Sequence, residues 1–310
     1  MTTDEGVEGL YGPDSVAWRL NREAYLLLGA GPRALLLQLA HPLVAEGVEQ
    51  HSDFRRDPWG RLRGTLSSYL RIVYGTRAAA LAEIRHLNGL HTSVVGEVGD
   101  PVARELTGET RYQARDARLS LWVHATLVES TMTVYDAWFE PLSRDDRAAF
   151  YQETLPVGRG FGIPDLLLPP DLDAFEAYWS RMLGPDGPIH VTPTARDLSR
   201  TILHPPVGPL PTPLYDWLMW PAVNLLPDRI RDAYRIPSGA GRGLVARWLV
   251  AGFRSWGNVM PPSWRWMPQA RAADRRVARA AGPGSGLGAP QAADYNRLDL
   301  ISGGNRAAQP

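Results

Sequence analysis

The chain contains no cysteine and no lysine among its 310 residues. Without a thiol there is no disulfide, no thiolate nucleophile, no thiolate-ligated or covalently attached haem and no cysteine-held iron–sulfur cluster. A metal held by this protein must draw on histidine, carboxylate, tyrosine or methionine. Without lysine, Schiff-base chemistry and a covalently bound pyridoxal cofactor are excluded; codon bias in a GC-rich genome is the simpler cause of an all-arginine basic set. An excess of either charge is also missing, 33 basic residues standing against 33 acidic ones, so no global field favours nucleic acid, and none is expected as a partner. The opening residues Met1 to Glu8 lack the positive region and apolar core of a secretory signal, which leads us to expect a cytoplasmic protein. The nearest approach to a membrane span, Pro205 to Pro227, is broken by prolines and by Asp216, which would leave backbone groups unsatisfied in lipid. Its Tyr215, Trp217, Met219 and Trp220 suit irregular core, an apolar flap over a pocket, or a shallow membrane contact.

With 44% hydrophobic residues the chain can bury a sizeable core. Helical periodicity dominates and no alternating strand run stands out, so an all-α single domain is expected over residues 14–281, between a flexible N-terminus (1–13) and a flexible tail (282–310). A first helix is predicted from about Asp14 to Leu28, stopped by Gly29 to Gly31, with Pro32 opening a second that Pro42 should kink beside His41. Pro58 should open a helix through Tyr74, Thr76 cap one running to about Gly96, and Asp116 cap the most apolar helix, Ala117 to Phe139. Asp100 to Gln113 reads as an exposed connection. Ser143 to Asp146 forms a capping signal, and further helices are expected over about 171–183, 194–203 and 243–256.

The common enzyme motifs are absent: no paired histidines at helical spacing for zinc, no Walker loop, no Gly-x-Ser-x-Gly elbow and no dinucleotide-binding glycine pattern. Chemistry concentrates instead between Gln38 and Thr65, where His41, His51, several arginines, Glu46, Glu49, Asp53 and Asp57 interrupt an otherwise apolar stretch. Buried polar groups of this density need partners or a task. Arg61 and Thr65, one helical turn apart, share a face. His51 can cap or bridge to Asp53 or Asp57. For His91 and His124 the residues alone leave a structural histidine and a functional one both open.

The stretch from His41-Pro42 through Arg61-Leu-Arg-Gly-Thr65, followed by Leu90-His91-Thr-Ser-Val-Val-Gly96, Leu121-Trp-Val-His124-Ala-Thr-Leu-Val-Glu-Ser130 and a basic proline-rich segment to Arg271, resembles the MpaB-type oxygenases, relatives of the latex-clearing (rubber-cleaving) oxygenases. The resemblance covers most of the chain. It implies an oxygenase with an apolar pocket for haem b, in which His91 is the metal ligand and Arg61, Thr65 and His124 are cofactor-binding pocket residues. Arg61 and Thr65, with His41 and Glu46, are the candidate catalytic groups. Gly64 stands where some rubber-cleaving members carry a lysine able to reach the iron, which implies an open or water-occupied distal position. Dioxygen and a small apolar, isoprenoid-like molecule are the implied substrates. Two other readings stay open: a non-catalytic haem or apolar-ligand carrier, and a cofactor-free hydrolase or isomerase with His41 or His124 as base.

Overall fold

Asp116 accepts a hydrogen bond from the Arg118 N–H and so starts Ala117–Trp138, the longest of the described helices and the centre of the molecule. The computed structural model describes residues 9–52, 57–203, 219–237 and 240–280. In chain order these hold α1 (Val16–Asn21), α2 (Ala24–Leu39), α3 (Pro42–His51), α4 (Pro58–Tyr74), α5 (Arg77–Thr92), β1 (Val95–Glu97), α6 (Pro101–Thr107), β2 (Arg111–Gln113), α7 (Ala117–Trp138), α8 (Arg144–Gly160), α9 (Leu172–Leu183), α10 (Pro193–Leu203), α11 (Asp228–Ala233), α12 (Ala240–Val259), α13 (Pro262–Arg265) and α14 (Pro268–Ala280). The fold is all-α with one small antiparallel hairpin, β1 pairing β2 with Gly96 opposite Tyr112. Caps at Ser15, Thr76, Asp100, Asp116, Ser143 and Asp171 each accept from a backbone N–H of the following turn.

The central seam is α2 against α7. Gly29 does not stop a helix, as its sequence context suggests; a Cβ there would lie 2.6 Å from the Trp138 ring and 2.7 Å from Val134. The glycine lets two helices touch, and α2 runs on through Pro32 to Leu39. The helix break falls earlier, at Arg22 and Glu23. Pro42 likewise does not kink a continuous helix. A residue before proline is driven out of the α region, and His41 is extended (φ −83°, ψ 119°), so α2 ends at Leu39 with Ala40 as its C-cap and Pro42 opens α3 at the position where its missing N–H costs nothing.

The stretch 100–113, expected as a plain connection, folds into α6 and β2, with Gly108 in the left-handed conformation (φ 68°) that ends α6. The helix begun at Thr76 stops at Thr92, where the chain enters β1. Leu10 and Tyr11 are buried, so packed structure begins before the expected boundary at residue 14. Residue 281 and residues 282–310, read as a tail, and 204–218, with Tyr215, Asp216 and Trp217, lie outside the described residues. The later part of the apolar segment from Pro205 to Pro227 is core, one of the three roles its residues suit: Met219, Ala222, Val223 and Leu226 are buried. Among the described residues no helix is long and apolar enough to cross a membrane.

Candidate functional site

α4 and α5 form an antiparallel hairpin about Gly75 and Thr76, which sets the first turns of α4 beside the last turns of α5. Asp57 fixes the start of α4 by accepting from the Gly60 N–H at 2.8 Å. One turn on, the Arg61 guanidinium donates to the Thr65 hydroxyl at 3.2 Å and to Ser52 Oγ at 3.3 Å, while Thr65 Oγ1 donates to the Arg61 carbonyl at 3.0 Å. The two side chains are locked into one unit with the guanidinium on the surface. His91 sits half-buried in the last turn of α5. Burial, and then the positive charge of Arg61, hold its pKa below the usual histidine value, which favours the neutral imidazole. The described residues offer no hydrogen-bond partner to its ring. On the same two helices Leu62 and Leu90 are half-exposed, and Gly64 and Gly89 are exposed, with nothing within 4 Å of an added methyl.

His124, on α7, is buried, and its Nε2 has no hydrogen-bond partner among the described residues. Desolvation pushes its pKa down to about 4. The ring faces the end of α8, where a Cβ on Gly158 would stand 3.4 Å from Nε2. Two residues later a Cβ on Gly160 would stand 3.2 Å from Ile84 of α5, and the Gly160 carbonyl accepts from Asn88 at 2.8 Å. The last turn of α8 therefore separates His124 on one side from the helix that carries His91 on the other. Both glycines allow that close packing.

The sequence profile described as "ER-bound oxygenase mpaB/B'/Rubber oxygenase, catalytic domain" matches residues 18–255, which include all the groups above. The chain belongs to this oxygenase family. Two curated relatives, uncharacterized proteins of Mycobacterium bovis and Mycobacterium tuberculosis, are each 29% identical over 154 residues, covering 48% of this chain and 57% of theirs. The chain thus matches little more than half the length of these relatives. No solved structure matches it.

Other residues picked out by the oxygenase-family resemblance make contacts within the framework. His41 caps α3, its Nδ1 accepting from the Leu43 N–H at 3.3 Å, and burial lowers its pKa to about 4 against a smaller raising effect of Asp116. Glu46, a candidate catalytic group, accepts from the Gly99 N–H at 2.6 Å, the Asp100 N–H at 3.4 Å and Gln50 Nε2 at 3.0 Å. That buried carboxylate ties α3 to the turn between β1 and α6, and no hydrogen bond or ion pair among the described residues joins it to Arg61, Thr65 or His91. His51 meets the Val95 carbonyl at 3.1 Å rather than Asp57, and Asp53 lies outside the described residues. Gly96 is glycine because a Cβ would come within 2.6 Å of Gln50 Oε1 and of the Tyr112 hydroxyl. Trp122 donates to the Leu37 carbonyl at 3.1 Å and stacks on Trp179 at 5.2 Å.

Arg33 escaped the sequence reading. Only 2% exposed, it forks onto Glu129, donates to Ser130 at 2.7 Å and to the Leu225 carbonyl at 2.8 Å, and so binds α2, α7 and the segment after Met219 together. The signal available was an arginine in the middle of an apolar helix, with Glu129 and Ser130 in another. Among the described residues no group of three or more histidines and carboxylates is placed to hold a metal ion.

Proposed function

We propose that this oxygenase-family chain binds haem b at the open end of the α4–α5 hairpin, with His91 as the ligand to iron. The observation that carries the reading is the placement of His91: half-buried, without a hydrogen-bond partner among the described residues and next to the Arg61–Thr65 unit. A porphyrin brings four of its own nitrogens, so a single imidazole suffices where no multidentate cluster is built, and neutral imidazole is the ligating form. When bound, haem would supply the means of activating dioxygen. The chain's own residues do the rest. Arg61, always charged and forked, suits a haem propionate or a developing negative charge, and Thr65 holds it in place. The leucines and glycines on the same two helices leave space for an apolar ring and an apolar substrate, for which an isoprenoid-like, unsaturated molecule is our choice. His124, whose Nε2 has no hydrogen-bond partner among the described residues, lies across the last turn of α8 from the helix that carries His91 and would act from behind the pocket wall. Its depressed pKa, like that of His41, makes it a poor general base near neutrality, which disfavours the cofactor-free hydrolase or isomerase.

Haemin titration of the purified protein tests the reading. A saturable Soret band at one haem per chain is expected, lost in His91→Ala with the far-UV helical signal intact; undiminished haem binding in that variant would remove His91 as ligand. Oxygen consumption with an isoprenoid-type alkene then separates an oxygenase from a non-catalytic carrier.

A further inference from the structure

α12 is apolar on two opposite faces. Ala246 is buried, Val250 packs on the core, and Phe253 stacks on Trp138 at 5.2 Å and lies against Tyr25 at 6.0 Å. That is the inward face. On the other side of the helix Leu244, Trp248, Ser255 and Val259 recur at helical spacing, and Trp248 and Val259 are 76% and 84% exposed. Trp264 of α13, just beyond, is 73% exposed. A helix packed on a water-soluble core ordinarily turns polar residues outward, so an outward stripe of leucine, tryptophan and valine marks a surface made to be covered.

Charge identifies the cover. Residues 233–280 carry nine arginines and one acid, Asp274, in a chain whose charges balance overall. That single carboxylate is taken up by the Trp18 indole N–H at 3.0 Å. Arg247 is exposed next to Trp248, and Arg254 reaches back to the Asp136 carbonyl at 2.5 Å. Exposed indoles and aliphatic side chains beside arginine, with acid excluded, are what an anionic lipid interface selects. The rings settle at headgroup depth and guanidinium groups remain with the phosphates. A protein partner with an acidic rim would match the arginines but gives no reason for tryptophans set at both ends of the stripe.

We propose that the outward face of α12, with Trp264, docks this protein on the surface of a membrane rich in anionic lipid. This contact lies apart from the His91 site and does not depend on haem. Sedimentation with phosphatidylcholine vesicles, with and without phosphatidylglycerol, measures it directly. The protein should partition onto the anionic vesicles and be released by salt. Arg247→Gln should weaken partitioning about five-fold, and Trp248→Ser combined with Trp264→Ser about ten-fold or more. Because the chain has no cysteine, Val259→Cys labelled with an environment-sensitive fluorophore reports on the face in a single-site variant that keeps both tryptophans. Its emission should rise and shift blue on anionic vesicles, whereas a label at exposed Glu109→Cys should not respond. Failure to bind anionic vesicles, equal binding by all variants, or an unresponsive Val259 label would overturn the proposal. So would a dimer in sedimentation equilibrium that the tryptophan substitutions dissociate without any vesicle binding, which would make the stripe an interface between copies.

Discussion

Arg33 shows what a buried charge costs and secures. Its guanidinium, almost wholly out of water, is satisfied by Glu129, Ser130 and the Leu225 carbonyl, so removing it strands a carboxylate against the α2–α7 seam. Arg33→Met should destabilise the fold by about 3–5 kcal/mol in urea unfolding, and adding Glu129→Gln should recover part of that loss. A loss under about 1 kcal/mol would mean that water reaches Glu129 readily. Side chains of this kind were hard to read in the sequence because pairing across helices leaves no local pattern. Arg61 and Thr65, one turn apart, were legible as a unit, and so was the candidacy of His91. Glu46 was not: its acceptors' partners, the Gly99 and Asp100 N–H groups, come from a turn far along the chain that only the tertiary fold brings close.

At the scale of elements, periodicity and caps located most helices, while glycine and proline misled where their reason was tertiary. Gly29 and Gly31 make the case, since both sit inside α2. A methyl at Gly29 would collide with Trp138 and Val134, whereas one at Gly31 meets nothing within 4 Å. Gly29→Ala should therefore cost roughly 1–3 kcal/mol through overpacking, while Gly31→Ala should gain about 0.5–1 kcal/mol by lowering the entropy of the unfolded chain. Thermal unfolding of the two variants side by side checks both signs; equal effects would mean that α2 and α7 are not in such close contact. The β1–β2 hairpin went unread for a different reason. Three-residue strands give too short an alternation to detect, and their pairing is held by Gly96 fitting under Tyr112 and Gln50.

For the whole molecule, burial of neutral titratable groups decides how stability follows pH. His41 and His124 fall from the ordinary histidine value of 6.5 to about 4 on folding, chiefly by desolvation. The unfolded chain then binds protons that the folded one refuses, so their contribution is complete above pH 6.5 and is lost as pH falls toward 4. Glu23 and Glu153, whose pKa values burial raises, act in the opposite sense, favouring the fold below their ordinary value of 4.5 and losing that contribution as pH rises above it. They reduce the acid loss without reversing it while both histidines remain neutral. At the alkaline end Tyr69, pushed up to about 12 by burial, and Tyr74, Tyr151, Tyr178 and Tyr234, also raised, favour the neutral form; that contribution holds below pH 10 and declines above it. Urea unfolding without added haemin should thus show a plateau between about pH 7 and 10, falling by a few kcal/mol toward pH 4. His41→Asn, which keeps a helix-capping side chain but cannot titrate, and His124→Leu, which removes the stranded nitrogen, should each flatten the acid limb and change little at pH 8. If both variants retain the parent's slope between pH 6.5 and 4, the two imidazoles are protonated in the folded protein, and water reaches the space between α7 and α8.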